Sequence, residues 1–174
     1  MANWLDWDAR LTARLRVAEK PGIRRRLAII FGHSGDSWFW LLGLLLVVWL
    51  GDETWRRLAI VLIAGILLTA VIVLLIKFTV RRQRPEGEWG QIYRRTDPHS
   101  FPSGHAVRAL MLAIVGLALG PAWFGWLLIV WAPLVGLARV ATGLHYVSDV
   151  VAGWILGLVM GLITIQLSGF IPVL

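Results

Sequence analysis

The stretch LAIVLIAGILLTAVIVLLIKF, residues 58–78, runs directly into TVRRQRP, residues 79–85, and these two segments decide how the rest of the chain is read. About twenty apolar residues rising about 1.5 Å each cover about 30 Å, the hydrocarbon thickness of a bilayer. The first charge in the run is Lys77, near its end, and Arg81, Arg82 and Arg84 follow before Pro85 forbids further helix. The segment therefore reads as a transmembrane helix that delivers cations to one membrane face.

Composition supports this reading along the whole chain. Of 174 residues, 58% are hydrophobic and 16% charged, whereas soluble domains carry about 25% charge. Residues 37–50 supply a first span, about 21 Å long by the same rise and short enough to need residues 27–31 upstream. A third span starts at Pro102-Ser103-Gly104-His105 and reaches residue 119. Residues 123–138 form a fourth, kinked at Pro133, and residues 147–167 a fifth. Gly153, Gly157 and Gly161 recur every four residues in the fifth, which lets a neighbouring helix approach closely. Trp38, Trp40, Trp49 and Trp55 fit interfacial belts.

The first residues lack the apolar core of a signal peptide. Instead Trp4, Trp7, Leu11, Leu15 and Ala18 share one helical face and Arg10, Arg14, Arg16 and Lys20 the other, as in a helix lying on a membrane surface. Pro21-Gly22 ends it, and Arg24, Arg25 and Arg26 follow. The predicted fold is all-α: a polytopic membrane helical bundle of about five transmembrane helices with an interfacial amphipathic helix in front. Residues 1–26 form the basic amphipathic segment and residues 27–174 the membrane domain.

The formal charge of +7 is distributed between apolar runs, so anionic lipid or an anionic substrate is the expected partner, not nucleic acid. The chain has no cysteine, which removes disulfides, thiolate nucleophiles and cysteine metal sites. With about five crossings, the loops after the second and fourth spans lie on the side of the amino terminus. Lys77, Arg84, Ser103, Gly104, His105, Arg139, His145 and Asp149 can then converge. Ionisable residues at the edge of apolar spans are costly, by about 2.5–3.5 kcal/mol on the lenient scale, and are expected to meet partners in a polar cavity.

The residue types in that set suit phosphoryl chemistry. Arg84 and Arg139 offer planar forks and Lys77 a point charge for the equatorial oxygens. Ser103 and Gly104 begin a helix whose amides and dipole can face an anion, with Pro102 in its first turn. His145 and Asp149 are four apart, so on a helix the carboxylate can accept from one ring nitrogen and leave the other as an electron-pair donor. His105 is placed to act as general acid. Among the other loop charges Arg94, Arg95, Glu86, Glu88, Asp97 and His99, the sequence assigns Asp97 and His99 to the turn. Arg81, Arg82, Arg94 and Arg95 select a head group or bind anionic lipid; Arg108 neutralises substrate charge or snorkels; His33 and Asp36 cap a helix or face the site entrance.

Lys77 to Arg84-Pro85, Pro102-Ser103-Gly104-His105, and Arg139 with His145 and Asp149 together resemble the three-part signature of the type 2 phosphatidic acid phosphatase superfamily, which also holds soluble acid phosphatases and vanadium haloperoxidases. The resemblance implies a metal-independent, cofactor-free membrane phosphatase acting on a lipid phosphate or prenyl diphosphate. Phosphatidic acid, phosphatidylglycerol phosphate and undecaprenyl diphosphate are candidate substrates. By the family's roles His145 attacks phosphorus and becomes phosphohistidine, Asp149 orients it, and His105 protonates the leaving group. Lys77, Arg84, Ser103, Gly104 and Arg139 hold the phosphate. One departure is Ala138, where the family usually has serine. The rival functions are a vanadate-bearing peroxidase, disfavoured by the apolar spans, and a lipid-phosphate-binding or transport protein without turnover, disfavoured by the complete His-Asp-His set. Basic residues ahead of the first span place the amino terminus and the site on the cytoplasmic side of the cell membrane.

Overall fold

The computed structural model describes residues 4–87 and 89–170 of the chain. Glu88, counted above among the loop charges, lies outside the described residues. Eight helices follow in order: α1 (Trp4–Leu15), α2 (Ile23–Ser34), α3 (Ser37–Leu50), α4 (Glu53–Val80), α5 (Gln91–Thr96), α6 (Gly104–Leu119), α7 (Ala122–Ala141) and α8 (Val147–Ser168). The only extended pairing among the described residues is an isolated bridge between Gln83 and His99. It closes the base of the long loop, whose middle forms α5.

The helices α4, α7 and α8 are long and apolar enough to cross a membrane. The 16 residues of α6 are apolar but rise only about 24 Å. The first span is not one helix extended by residues 27–31. In its place stands the pair α2 and α3, bent by 53° at Gly35 and Asp36, which together are long and apolar enough for a broken span or a re-entrant loop. Polar chemistry breaks it there: the Asp36 amide donates to His33 O at 2.9 Å, the Ser34 hydroxyl to Phe31 O at 2.8 Å and Trp40 Nε1 to Ser34 O at 2.9 Å. The elbow is pressed against α6 and α7, since a Cβ on Gly35 would sit 2.7 Å from Val135 Cγ1 and 3.2 Å from His105 Cδ2.

Capping sets the ends of α4. Asp52 accepts from the Trp55 amide at 3.0 Å, and Arg81 adopts the left-handed conformation (φ 52°) after Lys77 O takes its amide. The chain thus turns back over the bundle just past Lys77. Pro102 stands before the cap of α6, not in its first turn: Ser103 is the cap and Gly104 the first helical residue.

Leu62, Ile66, Met111, Leu112, Val115 and Val135 are fully buried at the centre, while Leu67, Leu75, Val130 and Ile155 are exposed on the outside, as lipid contact requires. Close packing of α6 on α8 runs through Gly153, Gly157 and Gly161, where a Cβ would come within 2.9, 2.5 and 2.8 Å of α6 atoms or Ser103 O. In α1, Trp4 and Trp7 are exposed as a surface helix demands, but Ala18 just beyond it is buried, and so are Asp8 and Thr12. The face that docks on the bundle is polar, which an apolar periodicity does not reveal.

Substituting Gly157→Ala forces a methyl group against Val107 O and is expected to lower the thermal midpoint of the detergent-solubilised protein, at a cost of about 1–3 kcal/mol. Gly43→Ala, whose Cβ meets nothing within 4 Å, is expected to leave that midpoint unchanged in the same thermal-shift measurement.

Candidate active site

The ends of α4, α6, α7 and α8 meet beneath α5 around a cavity of about 280 Å³. Lys77, Arg84, Gly104, His105, Arg139 and His145 line it, from three sequence blocks up to 68 positions apart. Ser103 and Asp149 are fully buried behind that wall. Ala70, Val73 and Leu74 of α4 give the cavity an apolar side.

His145 stands in the loop between α7 and α8. Arg84 Nη1 lies 3.1 Å from its Nε2 and also donates to Leu144 O at 2.7 Å. A guanidinium can only donate, so Nε2 is the acceptor and the ring proton sits on Nδ1. Nδ1 faces Asp149 Oδ2 at 3.6 Å, an ion-pair separation longer than a hydrogen bond. The carboxylate is held from both sides, by the Tyr146 amide on Oδ2 at 2.8 Å and by Arg82 Nη1 on Oδ1 at 2.7 Å. Burial first, and then the positive fields of Arg84, Arg139 and Lys77, hold the His145 imidazole well below its ordinary pKa. It is therefore neutral at physiological pH, with its lone pair on the cavity side beside Arg84.

Several polar atoms here have no protein partner although they are buried. Arg139 Nε and Ser103 Oγ are two of them, and Tyr93 packs its ring 4.7 Å below the Arg139 guanidinium. Leaving a buried donor unsatisfied costs about 1–3 kcal/mol, so paired orphans beside three cations mark a place shaped for an anionic acceptor. The Ser103 amide is not among the free donors, because it bonds Asp149 O at 3.0 Å. That leaves the first amides of α6, from Gly104 onward, which by geometry have no acceptor within the helix.

Asp97 and His99, assigned to the turn, enter the site; so does Asp36, as one of its two readings has it, and so does Tyr93, which the sequence did not single out. Asp97, expected to shape the turn, contacts Lys77 Nζ through Oδ2 and takes Arg84 Nη2 at 2.9 Å, while its carbonyl takes Arg84 Nε at 2.7 Å. His99 O accepts from Lys77 at 3.0 Å. Asp36 Oδ1 sits 2.7 Å from His105 Nε2, and its other oxygen 3.0 Å from His33 Nδ1. The Tyr93 hydroxyl donates to Asp36 Oδ1 at 3.2 Å. Arg108 neither reaches out to the interface nor stands free, for Nε and Nη2 both donate to Gly35 O, at 3.0 and 2.7 Å. Arg82 is tied inward, stacked 4.0 Å over Tyr146. Apart from that reading of Asp36, the hint of these partners in the sequence is charge arithmetic: buried cations in a membrane protein need carboxylates somewhere. Ala138 is buried on α7, and its carbonyl takes the Thr142 hydroxyl at 2.8 Å.

Residues 57–171 match the family described as the PAP2 superfamily. The chain is 34% identical over 157 residues to a decaprenylphosphoryl-5-phosphoribose phosphatase of Mycobacterium tuberculosis, covering 88% of this chain and 85% of that one. It is 29% identical over 153 residues to an undecaprenyl-diphosphatase of Sulfolobus acidocaldarius, covering 84% and 72%. Its fold is similar to the crystal structure of a transmembrane PAP2 type phosphatidylglycerolphosphate phosphatase from Bacillus subtilis, with a TM-score of 0.78 and 21% identity over 98% of this chain and 89% of the other.

The Asp97 carboxylate pairs with both Lys77 and Arg84, so it competes with any oxyanion that enters the cavity beside them. Asp97→Asn is expected to tighten inhibition by orthovanadate about tenfold, the effect of one charge-assisted hydrogen bond. Weaker inhibition in that variant would mean that Asp97 preorganises the cations instead.

Proposed function

Because this chain belongs to the PAP2 superfamily, and so is a membrane lipid phosphate phosphatase, we propose that it removes the terminal phosphate of a lipid phosphate or prenyl diphosphate through a phosphohistidine on His145. The observation that carries this is the 3.1 Å approach of Arg84 Nη1 to His145 Nε2, which puts a phosphate-binding cation and a neutral imidazole lone pair at one point. A phosphoryl oxygen bound by Arg84 brings phosphorus to that lone pair.

Lys77, Arg84, Arg139 and the first amides of α6 share the charge of the equatorial oxygens. Ser103 adds its hydroxyl. His145 Nε2 forms a bond to phosphorus as the bond from phosphorus to the bridging oxygen breaks, and His105 donates a proton to that oxygen. Positive charge developing on the imidazole is balanced by Asp149 across Nδ1. Water, losing its proton to His105, then attacks phosphorus and breaks the N–P bond, which releases inorganic phosphate and restores both histidines. Asp36 Oδ1, 2.7 Å from His105 Nε2, orients the ring for that transfer. The reaction needs no metal in this scheme, since every charge on the phosphate has a protein cation or amide.

Ala70, Val73 and Leu74 lead from the cavity to the lipid-facing side of α4 and suit a long apolar chain. Two curated relatives are named for prenyl substrates, which favours an undecaprenyl-type diphosphate or phosphorylated prenyl sugar over phosphatidic acid or phosphatidylglycerol phosphate. Residues 4–26 sit at the site end of the bundle, and their basic residues, by the positive-inside rule, favour the cytoplasmic side for that end.

A panel of these lipids, presented in detergent to the purified protein with a strong chelator, is expected to yield inorganic phosphate. His145→Ala is expected to lower turnover about a thousandfold or more without a change in thermal midpoint. Turnover lost to the chelator and restored by magnesium would contradict the metal-free scheme.

A further inference from the structure

The helix α1 lies outside the segment that matches the family, yet it reaches the back of the site. Asp8 is buried there, 1% exposed. Its Oδ2 receives Arg82 Nη2 at 2.8 Å and the Ser148 hydroxyl, and its Oδ1 receives the Ser148 amide at 3.1 Å. Thr12 Oγ1 receives the Val147 amide at 3.2 Å. Val147 and Ser148 are the first two residues of α8, so α1 supplies acceptors for two amides of that helix start, beside the Tyr146 amide that Asp149 itself takes. The Val17 amide adds a bond to Ala141 O at 2.8 Å, fastening the same connection from the α7 side.

Arg82 is the link from this cap to the chemistry. One guanidinium edge serves Asp8, and Nη1 serves Ser148 Oγ and Asp149 Oδ1, both at 2.7 Å. Tyr146 stacks on the face of the planar guanidinium and fixes its orientation between the two carboxylates. A single cation shared by two buried carboxylates leaves the cluster with one net negative charge. Without Asp8, Arg82 would neutralise Asp149 alone. We propose that Asp8 of α1 is a positioning residue for the phosphatase reaction: through Arg82 it sets both the orientation and the effective charge of Asp149, and thereby the capacity of His145 to carry positive charge when Nε2 bonds phosphorus.

This rests on the phosphatase reading above. The groups facing His145 are Lys77 of α4, Arg84 of the loop, Arg139 of α7 and Asp149 of α8, and Asp8 acts on it only through Arg82 and Asp149. Arg84 meets the ring at Nε2, and Asp149 meets it at the other nitrogen, Nδ1. Loss of Asp8 therefore affects turnover and not binding.

The test uses the full chain in detergent with a hydrolysed lipid phosphate, and compares wild type, Asp8→Asn, Asp8→Glu and Arg82→Lys. In Asp8→Asn, kcat is expected to fall about tenfold with KM within about twofold of wild type, a coupling of the size networks of this kind carry. The acid limb of kcat is expected to move to lower pH, because removing a negative charge weakens proton binding at His145. Asp8→Glu is expected to restore the limb and most of kcat. A folded Asp8→Asn protein with wild-type kcat and limb overturns the proposal, and so do equal changes in kcat and KM that follow the thermal midpoint. If Asp8→Asn does not fold, Arg82→Lys decides: lysine reaches only one carboxylate, so kcat is expected to fall at unchanged KM, and wild-type kcat overturns the proposal. Wild-type protein that releases no phosphate from any lipid defeats the phosphatase reading itself; active wild type with an insensitive Asp8→Asn defeats only this inference.

Discussion

The structure depends on holding Lys77, Arg84 and Arg139 together around a buried, neutral imidazole at one end of an apolar bundle. Like charges in a medium of low polarity repel strongly, and each loses its hydration on entering. The chain answers this with carboxylates from distant segments: Asp97 between Lys77 and Arg84, and Asp149 behind His145. Tyr93 adds its ring face beneath Arg139. Burial first, and then the fields of those same cations, keep His145 neutral, so the cost of assembling the site and the readiness of its proposed nucleophile share their causes.

Helix packing makes the assembly possible. Because Gly153, Gly157 and Gly161 let α8 lie directly on α6, Asp149 and Ser103 come within backbone hydrogen-bond distance, and the two helix starts that carry His105 and Asp149 share one wall. The elbow between α2 and α3 does the same on the opposite side, where Gly35 permits contact with α6 and Arg108 holds the elbow by its carbonyl. Asp36 is thereby delivered to His105. Helix approach distances, set by glycine, are thus a condition of the chemistry.

How much of this could be read from residues alone follows from what periodicity carries. The run of residues 58–78 announces its helix because every position obeys one rule, and α7 and α8 do so nearly as well. The eight residues of the expected site are legible as ordered blocks of phosphate-binding types, and the structure gathers them at one bundle end. Asp8, Asp36 and Asp97 carry no such mark. Each is a lone acid whose role exists only once a partner 74, 69 or 20 positions away folds beside it, as for Asp8 with Arg82, Asp36 with His105 and Asp97 with Lys77. The bend at Gly35 was hidden for a related reason: two short apolar helices and one long one have nearly the same composition.

The central claim is that His145 accepts the phosphoryl group. Because the N–P bond of a phosphohistidine is acid-labile and survives in alkali, the measurement is rapid alkaline quenching within the first turnover of a lipid phosphate, followed by digestion and mass spectrometry, at alkaline pH, of the peptide that spans residues 140–154. A phosphoryl adduct on the imidazole of His145, absent from Asp149→Asn protein or strongly reduced in it, is the result this account requires. A phosphorylated serine, or single-turnover phosphate release with no adduct on His145 at any time point, would contradict it.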